Sequence, residues 1–93
     1  MTEGQLIDKA SQLQADVSWV QEYHDRWERI ARLCKAQLNM CIENKKGDPH
    51  AIDILNSTIE MAQTKVDKCA AFLLEKRPKL ASMYREVFND RTA

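Results

Sequence analysis

Chain breakers are scarce in this sequence. Two glycines and two prolines in 93 residues leave little material for tight turns or for strands punctuated by them. With alanine, leucine, glutamine, glutamate and lysine abundant, the chain is expected to be all-α. Net charge is missing as well. Fourteen basic residues balance fourteen acidic ones, and no run of five or six like charges occurs, so bulk attraction to nucleic acid or to an acidic membrane is not indicated. No apolar run approaches the roughly 18 to 20 residues of a membrane span. Met1-Thr2-Glu3-Gly4 lacks the basic start and apolar segment of a secretory signal. A cytoplasmic or nuclear protein is expected, neither secreted nor transmembrane. Cys34, Cys41 and Cys69 are odd in number and form no CxxC pair, which suits reduced thiols used as small apolar side chains. Asn56-Ser57-Thr58 matches the N-glycosylation pattern, but without a secretory signal it fits the polar side of a helix.

What is present is the composition of a folded chain, 44% hydrophobic and 30% charged, with room for one small core in a single helical domain spanning residues 1–93. Its centre holds the one place where a helix stop meets a helix start. Lys45 and Lys46 suit the negative end of a helix dipole, and Gly47 can adopt the left-handed conformation of a helix terminus. Asp48 is a good N-cap and Pro49 fits the first helical position. So short a connection requires antiparallel helices on either side.

Before that turn, Thr2 and Gln5 can form a capping box, which starts a helix near residue 3. From Leu6 the apolar positions advance in steps of four and three: Leu6, Ala10, Leu13, Val17, Val20, His24, Trp27, Ala31, Cys34, Leu38 and Cys41. This is a heptad seam with one polar member, His24, and it predicts a helix over about 3–45 packed along another helix. A fresh start at Asp16 is the alternative. After the turn the seam resumes as Ile52, Leu55, Ile59, Ala62, Val66, Cys69, Leu73, Lys76, Leu80, Met83 and Val87, predicting a second helix over about 49–91 that is kinked or broken near Pro78. If the arms zip from the turn, residues whose numbers add to about 93 meet, so that Ala31 faces Ala62 and His24 faces Cys69. The expected architecture is an antiparallel helical hairpin. It would complete a three- or four-helix bundle through its own third helix, over about 79–90, or by dimerisation.

Chemistry is thin. His24 and Cys69 lack the third and fourth ligands that zinc requires, and the Glu-x-x-His pattern of di-iron bundles is absent. There is no phosphate loop, nucleophile elbow or dinucleotide fingerprint. No metal, cofactor, small-molecule substrate or enzymatic activity is therefore expected. A second apolar row does stand out on the first arm, one position before the seam. Trp19, Tyr23, Ile30, Leu33 and Met40, with Trp27 beside them, make a face broader than one antiparallel neighbour can cover. Aromatic and large apolar side chains grouped this way dominate interface energetics. They are the candidate partner-binding residues, for a partner helix or a second copy, with Trp27 expected to be the more buried tryptophan. The competing reading makes them all core. The remaining candidate is a basic patch of Lys76, Arg77, Lys79 and Arg85 that could meet nucleic acid or anionic lipid. It has neither the aromatic platforms nor the groove-reading motif that such binding usually uses.

Overall fold

The computed structural model describes residues 2–44 and 47–92, with side chains through residue 89. Two helices, α1 (Glu3–Glu43) and α2 (Pro49–Thr92), account for nearly all of it, and no strand occurs among the described residues. They lie antiparallel as a hairpin of 68 × 17 × 14 Å.

Local chemistry accounts for the ends. Thr2 Oγ1 accepts a hydrogen bond from the Gln5 backbone N–H at 3.2 Å, and Gln5 Oε1 accepts one from the Thr2 N–H at 3.1 Å. This is the reciprocal capping box. At the other start, Asp48 Oδ1 accepts from the His50 N–H at 3.3 Å, and Pro49 opens the helix, where its missing N–H costs nothing. Asn44 closes α1 in right-handed geometry, at φ −88°. The expected roles of Lys45 and Lys46 lie outside the described residues.

Gly47 corrects the sequence reading. Its φ is not in the left-handed region, and what it contributes is the absence of a side chain. A Cβ there would stand 2.9 Å from Ile52 Cδ1 and 3.0 Å from Cys41 Cβ. The connection thus runs against the first seam pair, Cys41 and Ile52.

Every seam residue of both helices is buried or half-buried, and none is exposed. The core is thin. Leu6, Ala10, Val17, Ala31, Ala62, Cys69, Leu73, Leu80 and Val87 are buried, but among the described residues no large side chain is fully enclosed. Val17, Leu73 and Leu80 form its main cluster, with Leu13, Val20 and Phe72 packed around it. These contacts agree with the register set by the turn. Ala31 and Ala62 are among the most buried residues, as a close-approach layer requires.

α2 continues through Pro78, so the separate third helix over residues 79–90 does not form. The reason lies in the phase of the seam. Leu73 lies before the proline, Leu80 and Val87 lie after it, and all three are buried against α1. Turning the chain back would strand the last two. Pro78 itself is exposed, on the side of α2 away from the seam, so the backbone carbonyl that loses its partner can be solvated. Among the described residues no helix is long and apolar enough to cross a membrane.

Candidate functional site

A hairpin of two helices has two broad faces. Residues that follow a seam position lie on one flank of each helix, and residues that precede one lie on the other, about 100° around. Two cross-helix hydrogen bonds show which flanks share a face. Tyr84 Oη donates to Gln14 Oε1 at 3.3 Å, and Arg77 Nη2 donates to Gln21 Oε1. All four residues follow seam positions, so the following flanks lie together. The preceding flanks then share the opposite face.

That opposite face carries the partner-binding candidates. On α1 it presents Trp19, Tyr23, Ile30, Leu33 and Met40, and on α2 Ile54, Met61 and Phe72. Trp19, Leu33 and Met40 are 63, 64 and 61% exposed, whereas Tyr23, Trp27, Ile30 and Phe72 are half-buried. Trp27 is thus the more buried tryptophan, because it occupies the seam. The register sets Leu33 level with Met61 and Met40 level with Ile54. From residue 19 to residue 40 the platform runs about 32 Å along α1.

Its aromatic end is ordered by ring packing along one helix. Trp19 stacks on Tyr23 with centroids 5.1 Å apart and planes 14° apart, and Tyr23 meets Trp27 edge to face at 6.0 Å and 69°. Spacings of four residues make this possible. The stack holds Trp19 upright on the surface without enclosing it.

The following flank is polar around His24. His24 Nδ1 lies 3.1 Å from Asp25 Oδ1, and its Nε2 points at Glu28 Oε2 from 3.8 Å. Both ring nitrogens therefore face carboxylates of their own helix. Gln21 Nε2 also donates to Asp25 Oδ1 at 2.9 Å while Gln21 Oε1 accepts from Arg77. The contact with His24, and then that with Gln21, holds the Asp25 carboxyl below the usual carboxylate range. This relay from Arg77 to His24 was not visible in the sequence. It joins long side chains 56 residues apart on a flank where spacing alone names no partner. Cys34 and Cys41 are half-buried and Cys69 is buried, all as free thiols. Among the described residues no group of three or more His, Cys, Asp or Glu side chains is placed to hold a metal.

The basic patch is partly engaged within the chain. Lys76 lies half-buried on the seam, its Nζ 3.4 Å from Glu75 Oε1 and 6.0 Å from the Phe72 ring centroid. Arg77 is held by Gln21. Lys79 and Arg85 project as exposed side chains. The four do not converge on one surface, because they fall at different positions around α2.

No family model, curated protein or solved structure matches this chain. A second apolar area, a notch of about 240 Å³ lined by Ile7, Ala10, Tyr84, Val87 and Phe88, lies between the helix ends away from the turn, on the following flanks.

Proposed function

We propose that this chain is a non-enzymatic protein–protein interaction module whose apolar platform receives a partner helix or a second copy of the hairpin. The observation that carries the reading is the exposure of large apolar side chains on a thin two-helix core, with Trp19, Leu33, Met40, Ile54 and Met61 gathered on one face while Leu74 and Phe88 are exposed on the other. Surface area supports it. The chain exposes 6985 Å², against roughly 5,500 Å² for a compact monomer of its mass. The excess exceeds the roughly 800 Å² per partner that a standard interface hides. An added helix in the shallow groove between α1 and α2 would make a three-helix bundle, and a second hairpin would make a four-helix bundle. The three free thiols, all on the seam, are compatible with a reducing compartment, cytoplasmic or nuclear.

A second reading assigns nucleic acid or anionic lipid to Lys76, Arg77, Lys79 and Arg85. The exposed Lys79 and Arg85 favour it, and the engagement of Lys76 and Arg77 within the chain weakens it.

Light scattering over a concentration series, repeated with amphipathic helical peptides present, tests the leading reading. Occupancy of the platform is expected to raise the mass above 10.8 kDa. The Trp19→Ala, Ile30→Ala double variant is expected to abolish that rise while remaining helical. A chain that stays monomeric with every peptide but binds DNA or anionic vesicles in a salt-sensitive way would transfer the function to the basic patch.

A further inference from the structure

The charges beside the platform lean to one sign, with Glu22, which shares a hollow with Trp19, Tyr23 and Arg26, as the acidic exception. On the preceding flanks between residues 19 and 72 the only charged side chains are Arg26 on α1 and Lys65 and Lys68 on α2. Arg26 and Lys68 are exposed, Lys65 is half-buried, and among the described residues none of the three is in an ion pair. The opposite face over the same span reverses the sign. There Asp25, Glu28, Asp53, Glu60 and Asp67 outnumber Arg32 and Lys35. A chain with no net charge is thus divided across its thickness, with the basic side on the apolar platform.

We propose that the platform's occupant is an amphipathic helix of a partner protein whose apolar stripe is flanked by aspartate and glutamate. This rests on the interaction-module reading and names the partner's chemistry. A helix lying between α1 and α2 would have Arg26 along one edge and Lys65 and Lys68 along the other, so acidic residues on both flanks of its stripe meet opposite charge. Complementarity of this kind selects partners more than it adds raw affinity. A second copy fits less well. In a two-fold dimer the same patch meets itself, which brings six cations together against two copies of Glu22. Stacking the basic face of one hairpin on the acidic face of the next satisfies the charges, but such a head-to-tail contact need not close. A bilayer also fits less well, because recognition of acidic headgroups draws on clusters of about four to eight basic residues, and three are present here.

Three synthetic peptides test this, each a helix of about 21 residues with one shared apolar stripe and with glutamate, glutamine or lysine on its flanks. Trp19 emission is followed in the intact chain carrying Trp27→Phe. The acidic peptide is expected to bind about tenfold more tightly than the neutral one, as three charge pairs at the surface, two of them exposed, together allow. The lysine peptide is expected to bind more weakly than either, and Lys65→Glu with Lys68→Glu to reverse the order. Equal binding of all three peptides would overturn the acidic-partner inference and leave the module intact. Self-association that shields Trp19, or preferential shielding by vesicles containing phosphatidylserine, would overturn it in favour of a second copy or a bilayer. If no peptide, vesicle or second copy shields Trp19, the module reading fails together with the inference.

Discussion

Asp25 is where the sequence was least informative and the structure says most about a single side chain. Its carboxylate accepts from Gln21 and lies against the His24 ring, so its pKa in the folded chain falls below the ordinary value of 3.8. The folded pKa is thus lower than the unfolded one. The associated stabilisation is complete above the unfolded value and is lost as pH falls through the folded value. An NMR titration of the side-chain carboxyl carbons is expected to place the Asp25 midpoint below that of the same residue in the unfolded chain, and His24→Ala to move it upward. Gly47 makes the second residue-scale case. Because its Cβ position is already crowded by Cys41 and Ile52, Gly47→Ala is expected to destabilise the hairpin by about 1–3 kcal/mol, read by urea denaturation. Were left-handed geometry the reason for this glycine, Gly47→Asn would be the milder change; crowding makes asparagine worse than alanine. The glycine was legible as punctuation, but the close approach depends on two side chains brought there by the finished turn.

At the scale of the element, the seams were almost wholly legible. A period of three and four residues records which side of a helix is dry, and each position so marked in α1 and α2 is buried or half-buried. Even His24 keeps its place, its side chain 18% exposed while its nitrogens reach carboxylates at the rim. Pro78 was legible as an irregularity and ambiguous as a structure, because local propensity favours a break while the phase on either side favours continuity. Burial of Leu80 and Val87 against α1 decides for continuity. Pro78→Ala is accordingly expected to stabilise the chain by up to about 3 kcal/mol, since it restores a helical hydrogen bond in place. A turn at this position would instead lose stability or be indifferent to alanine. The tight layer at the middle makes the opposite demand. Ala62 is fully buried, so Ala62→Leu is expected to cost about 1–3 kcal/mol by forcing the helices apart, again measured by denaturant midpoint.

The whole molecule is a rod. Its radius of gyration is 20.3 Å, whereas a compact domain of this length would have about 12 Å. Small-angle scattering from a dilute sample is expected to return the larger value. Large apolar side chains are exposed on both faces, with Leu74, Tyr84 and Phe88 opposite the platform, and here the sequence was legible in part: the row Trp19, Tyr23, Ile30, Leu33 and Met40 stood out as surplus to a single seam. Which residues of α2 stand beside it was less clear. Relating the flanks of two helices requires the handedness of their packing, and the Gln14–Tyr84 and Gln21–Arg77 bonds supply it. That same geometry gathers Arg26, Lys65 and Lys68 around the platform, a sorting of charge that a linear count of fourteen against fourteen conceals.

The claim that this face awaits an occupant is tested most directly at Trp19. Acrylamide quenching of Trp19 in the Trp27→Phe variant, with mass measured by light scattering on the same samples, connects exposure to assembly. A free 10.8 kDa chain is expected to have a readily quenched Trp19, which becomes shielded as a second chain or an added helix raises the mass. A tryptophan shielded at every dilution in a chain that remains monomeric would contradict the account.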